Sequence, residues 1–180
     1  EVEAYYKAIK NRIDYVDGSD LIGNNNIETE ILNGEARAFG LEFLLHKNRG
    51  NFTGWIAYTL SKSEQRTLGG QAGGPGINNG KWYNTPYDRT HDVSITGIYA
   101  LNDKWSFSSN LVFQTGRPIT YPNTQYQYEG LSIAGYSNRN ENRLPVYHRL
   151  DISATYKPKI DLEKRWRGEW VFGIYNAYNR

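Results

Sequence analysis

Apolar and polar side chains alternate along most of this chain, in seven separate runs with little helical period anywhere. The first run, Val2 to Tyr15, puts Val2, Ala4, Tyr6 and Ala8 on one face and loses phase after Ile9, which predicts a bulge. Arg37 to His46 sets Phe39, Leu41, Phe43 and Leu45 against Ala38, Gly40, Glu42 and His46. Phe52 to Ser63 sets Phe52, Ile56, Tyr58 and Leu60 against Thr53, Ala57, Thr59 and Ser61. Thr90 to Leu101 and Trp105 to Thr115 repeat the pattern with Val93, Ile95, Tyr99, Phe107, Leu111 and Phe113. Tyr147 to Lys157 opposes Leu150, Ile152, Ala154 and Tyr156 to Arg149, Asp151, Ser153 and Thr155, and a last run spans Trp166 to Tyr178.

Runs of about ten residues exceed the usual soluble strand of about five or six. At ~3.3 Å per residue and a tilt of about 40°, they rise about 25 Å, the height of an outer-membrane apolar band. The connections alternate between short ones (Lys47 to Gly50, Asn102 to Lys104, Pro158 to Arg165) and long ones (Val16 to Ala36, Glu64 to Arg89, Gly116 to Val146). In an antiparallel meander, alternate connections lie at opposite rims. One rim is therefore trimmed to turns and the other carries loops, as in outer-membrane barrels. The pattern predicts an all-β fold: an antiparallel transmembrane β-barrel segment of about seven strands with short periplasmic turns and long extracellular loops.

Composition sharpens this. Aromatic residues make up 14% of the chain, with 15 Tyr, 5 Trp and 6 Phe, and Tyr99, Trp105, Tyr156 and Trp166 lie beside the short turns, where an interfacial girdle belongs. Lys+Arg 21 nearly balances Asp+Glu 19 and no basic block occurs, so nucleic acid is not expected as a partner. The absence of Cys excludes disulfides and thiolate chemistry. A mean hydropathy of −0.72 excludes nothing, because a barrel wall needs apolar side chains only at alternate positions. Bacterial single-chain barrels have even strand counts, and seven is odd. Bare edges in hydrocarbon would cost tens of kcal/mol, so further strands are expected on both sides of this segment.

Several strings, in order, carry a resemblance: Tyr5-Tyr6-Lys7, Ile13-Asp14-Tyr15, Gly40-Leu41-Glu42, Ala57-Tyr58-Thr59-Leu60-Ser61, Tyr87-Asp88-Arg89-Thr90-His91-Asp92, Thr115-Gly116-Arg117-Pro118, Tyr147-His148-Arg149-Leu150-Asp151 and Tyr175-Asn176-Ala177-Tyr178-Asn179-Arg180. Together they resemble the C-terminal barrel half of TonB-dependent outer-membrane receptors, in the variant with an N-terminal carboxypeptidase-regulatory-like domain. The resemblance implies a 22-stranded plugged barrel, of which residues 1–180 would be roughly strands 15 to 21, without plug, TonB box or closing strand. It implies active uptake of an oligosaccharide, peptide, iron chelate or cobalamin across the bacterial outer membrane. It also implies contacts with outer-membrane lipid, with the rest of the barrel and the plug, with the TonB complex through the missing N-terminal part, and with a possible surface lipoprotein. Other readings are a barrel serving as secretion pore, adhesin or surface-complex scaffold, and a soluble carbohydrate-binding β-domain.

No catalytic constellation or cofactor motif is present, and an enzyme is not expected. His46, His91 and His148 stand apart and read as interface or loop-base residues. Gly69 to Gly76 lacks the Lys-Ser/Thr of a phosphate loop and reads as a loop tip; Asp14, Asp17 and Asp20 miss calcium-loop spacing and read as an exposed acidic loop. Asn51-Phe52-Thr53 opens a strand at a tight turn, so its match to a glycosylation acceptor is formal. By alternation Glu42, Asp92, Arg149 and Asp151 face the lumen, where they are expected to pair with the plug or one another. The long loops carry Trp82, Tyr83, Tyr87, Tyr121, Tyr126, Tyr128 and Tyr136 with Arg89, Arg139 and Arg143. These side chains either bind ligand or knit the loops together.

Overall fold

The computed structural model describes residues 1–19, 22–69, 74–158 and 168–179. Along them run β1 (Val2–Tyr15), β2 (Ile31–Lys47), β3 (Phe52–Thr67), β4 (Tyr83–Asn84), β5 (His91–Ala100), β6 (Trp105–Gln114), β7 (Pro118–Ile119), β8 (Pro122–Tyr128), β9 (Leu131–Tyr136), β10 (Asn142–Arg143), β11 (Tyr147–Tyr156) and β12 (Trp170–Ile174). A single 3-10 turn lies at Ile27–Glu30, and Ile77–Gly80 is a turn in which Asn78 and Asn79 take positive φ of 50° and 57°. The main sheet is an antiparallel meander in the order β1-β2-β3-β5-β6-β11-β12, with β4 added beside β3. It is a barrel wall that does not close on itself.

The register aligns the alternation of every strand. One cross-strand row runs Leu41, Leu60, His91, and another runs Phe43, Tyr58, Val93, Phe113, His148. Below them lie Leu45, Ile56, Ile95, Leu111 and Leu150. These rows form one continuous face that no other described residue covers: Tyr6 and Leu45 are each 68% exposed and Phe172 58%. Among the described residues the buried apolar side chains are Leu32, Ala36, Ile77 and Tyr83, and none belongs to that belt. A soluble sandwich would bury this face against a second layer. The exposed belt fits lipid instead, and it removes the soluble carbohydrate-binding reading. Trp105, 4.8 Å from Tyr156, marks its lower edge beside the short turns. Trp166 lies outside the described residues.

Strand bounds differ from expectation at the loop end. β2 starts at Ile31 and β3 continues to Thr67, so pairing reaches Gly34↔Thr67. Above the belt the outward positions become Glu35, Arg37, Lys62, Glu64 and Arg66, linked by Arg37–Glu64 at 2.7 Å and Arg66–Glu35. The ladder persists there while the apolar alternation that advertises it does not. β12 is shorter than the run expected over Trp166 to Tyr178, because Asn176 takes a positive φ of 55° and turns the chain, its N–H donating to Asp151 Oδ1 at 3.0 Å. The long loops also hold the hairpin β8–β9 and the short pair β7–β10.

Candidate functional site: the loop-end chamber

The bulge in β1 decides what faces the lumen. Register shifts between Ile9 and Arg12, and Asn11 holds φ at 56°, a left-handed geometry that asparagine tolerates. Below the bulge even-numbered residues point to lipid. Above it Arg12 and Asp14 point inward, opposite Gly34 and Leu32. There Arg12 Nε donates to Gln65 Oε1 at 2.5 Å, while Gln65 Nε2 donates to Asp14 Oδ2 at 2.8 Å and to the Tyr83 hydroxyl at 3.0 Å. The Tyr83 hydroxyl also donates to Asp14 Oδ2 at 2.9 Å. Burial chiefly pushes the Tyr83 phenol above its ordinary value; the hydrogen bond and charge of Asp14 push the same way, against Thr67 and Gln65.

β3 changes partner along its length, and this produces an overhang. It pairs with β5 up to Leu60 and with β4 from Glu64. Between the two, Ser61 N–H donates to Thr90 O (3.0 Å), Thr85 N–H donates to Ser63 O (3.0 Å), and Ser63 N–H donates to Asp88 Oδ1 (2.5 Å). Asp88 is thus a buried carboxylate standing in for a missing ladder bond, and Arg143 pairs with its other oxygen. Residues 85–89 stand off the sheet over the lumen face. Beneath them lies a cavity of about 440 Å³ lined by Glu3, Tyr5, Lys7, Glu42, Thr59, Ser61, Tyr87, Arg89 and Asp92. The Arg12 guanidinium lies 5.8 Å from the Tyr87 ring and Lys7 Nζ 5.8 Å from the Tyr5 ring. Glu3 and Glu42 are directly opposed across the β1–β2 ladder, and Asp92 shares their row across Thr59.

The three long loops are locked together above this chamber. Arg139 donates to Asp14 Oδ1 (3.0 Å), to the Tyr15 carbonyl (3.1 Å) and, through Nε, to Asp17 Oδ1 (2.8 Å), with a second bond to Asp17 from Nη2. Burial works against its charge, but the Asp17 hydrogen bond and the charges of Asp14 and Asp17 outweigh it and raise its pKa. Asn78 and Arg139 exchange two bonds, Arg139 N–H to Asn78 Oδ1 (2.8 Å) and Asn78 Nδ2 to Arg139 O (3.0 Å). Asn140 Nδ2 donates to Asn84 O at 2.8 Å, and Arg143 Nη1 to Gly116 O at 3.0 Å.

A wall with an apolar outer belt, a polar inner face and long loops gathered at one end has the form of an outer-membrane β-barrel wall. The sequence agrees: residues 1–177 match the family model described as TonB dependent receptor-like, beta-barrel. The chain belongs to the TonB-dependent receptor-like β-barrel family. No curated protein and no solved structure matches it. TonB-dependent receptors are outer-membrane receptors and transporters, and this chain is a part of such a barrel wall.

In this receptor wall the loop residues expected either to bind ligand or to knit the loops fall into three groups. Tyr87 and Arg89 line the chamber. Tyr83, Arg139 and Arg143 knit the loops, and so does Trp82, whose ring lies 4.2 Å from the Arg37 guanidinium and 5.1 Å from that of Arg66. Tyr121, Tyr126, Tyr128 and Tyr136 are exposed in or beside the β8–β9 hairpin. Of the inward charges, Arg149 pairs with Asp151 at 3.0 Å, and Asp92 accepts from Gln114 Nε2 at 2.8 Å with Arg89 3.9 Å away; Glu42 lines the chamber. His91 meets the Tyr58 hydroxyl at 3.0 Å and His148 that of Tyr178 at 2.7 Å, at the loop end of the belt. Asp14 and Asp17 are held by Arg139, whereas Asp20 and the loop tip Gly70 to Gly73 lie outside the described residues. Chamber residues not singled out as site candidates from sequence include Glu3, Tyr5 and Lys7, for which odd-number parity before Ile9 was the available signal.

Proposed function

We propose that this wall serves TonB-coupled import, and that the chamber beneath residues 85–89 holds part of the nutrient before the plug is displaced. The chamber itself carries this reading: two phenol rings, Tyr5 and Tyr87, flank hydroxyls and charges on the lumen side, under loops that the Arg139 lock holds shut. Flat aromatic faces with polar rims suit an oligosaccharide or peptide; with Lys7 and Arg89 beside Glu3, Glu42 and Asp92, an iron chelate and cobalamin are the remaining classes. The inward charges Glu42, Asp92, Arg149 and Asp151 would face the plug. The β8–β9 hairpin suits a surface lipoprotein, since Tyr126, Tyr128 and Leu131 crowd one exposed face of it. The test is import by the receptor carrying Tyr5→Ala and Tyr87→Ala, scored as growth on each nutrient class with surface amount held equal. Loss of growth on one class supports the chamber as its site, and undiminished growth on all four removes it.

A further inference from the structure

We propose that the outer face of this wall holds a phospholipid of the leaflet at the short-turn rim, with an acyl chain seated in a trough and an anionic headgroup on Lys47. The trough is a cavity of about 580 Å³ on the lipid side, among Phe52, Gly97, Tyr99, Phe107, Ile152 and Phe172. It follows from the register. Gly54, Gly97 and Ser109 stand opposite one another on β3, β5 and β6, between a lower row of Phe52, Tyr99 and Phe107 and an upper row of Ile56, Ile95 and Leu111. A larger side chain is excluded at Gly54, beside the trough in the same row, and at Gly97 it would have to displace the Phe52 ring. A Cβ on Gly54 would lie 2.1 Å from Thr96 O, and one on Gly97 would lie 3.3 Å from the Phe52 ring that leans over it.

The same row begins on β2 with Lys47, opposite Gly54 and on the outward face below Leu45. Its ammonium donates to the Arg49 carbonyl at 3.0 Å, and no carboxylate pairs with it among the described residues. An apolar channel with a cation at its rim end complements a lipid with an anionic phosphate head.

The medium on this face is hydrocarbon, so burying apolar area against it gives no hydrophobic gain. Retention must come from close packing between the walls and from the lysine. This favours a lipid over a protein partner, which would need about 1,000 Å² of matched surface.

The test uses the whole receptor in phosphatidylcholine nanodiscs doped with spin-labelled phosphatidylglycerol or spin-labelled phosphatidylcholine, reading the motionally restricted fraction. Wild type should retain phosphatidylglycerol about fivefold over phosphatidylcholine, the effect of one cation beside an anionic surface. Lys47→Gln should abolish that preference, and Ser109→Phe should reduce the restricted fraction of both labels. Heat-modifiable gel migration reports insertion, and Lys47→Gln sits at a strand end, so it tests the headgroup even if Ser109→Phe fails to insert. Equal retention of both lipids by wild type, or a preference that survives Lys47→Gln, overturns the proposal.

Discussion

Arg139→Ala isolates the loop lock, because the two bonds that Arg139 exchanges with Asn78 use its main chain and survive the change. Lost are the side-chain bonds to Asp14, Asp17 and the Tyr15 carbonyl. Asp17 is 61% exposed, so its share is at most a few tenths to about 1 kcal/mol. Asp14 is only 19% exposed, and a charged hydrogen bond there is worth about 1.5 kcal/mol after allowing for the partly exposed guanidinium. Together these give about 2 kcal/mol, or roughly a thirtyfold rise in the open fraction of the loops. Amide hydrogen exchange of the receptor in micelles should show that rise over 77–84 and 137–143, with the wall strands unchanged. A cycle with Asp14→Asn should return a coupling of about 1 kcal/mol. If protection at those amides falls less than twofold, the lock does not hold the loops and this accounting is wrong.

Arg143→Met leaves the Asp88 carboxylate buried without its cation and should destabilise the 85–89 overhang by about 3 kcal/mol, seen as new protease cleavage there. Tyr83 makes the loops alkali-sensitive. Its folded pKa lies above the ordinary value of 10.0, so its stabilisation is complete below that value and is lost as pH rises through the folded one; phenolate absorbance should appear together with loop exchange. Gly54→Ala places a Cβ against Thr96 O at a φ of 151° and should lower the heat-modifiable, inserted fraction of the receptor.

The membrane-spanning part of the fold was legible because lipid on one side and water on the other impose period two on every strand. Where β2 and β3 rise above the lipid, the outward face meets water, and its Glu35, Arg37, Lys62 and Glu64 give no apolar alternation to read. The hairpin at 122–136 was legible in principle. Tyr126 and Tyr128 alternate with glutamine, Leu131 and Ile133 flank serine, and Glu129-Gly130 between them both take positive φ, the demand of a two-residue turn. The lock had no such signature: Arg139 reaches Asp14 across 125 residues, and only the closing of three loops over one rim brings them together. Tyr87 and Arg89 were identifiable as loop-base residues, but their chamber depends on β3 exchanging one partner strand for another, which no local pattern announces.

The single extra residue at Asn11 makes insertion and closure separable traits. Everything in β1 before it is addressed to acyl chains on one side; Arg12 and Asp14, after it, would be aimed at the cell's surroundings were the slip removed. Asn11→Val, which resists the left-handed backbone the bulge needs, should therefore give a receptor that still enters the outer membrane and stands at normal abundance, yet leaks, because straight pairing with the residue retained turns the anchor for its gate to the wrong side of the wall.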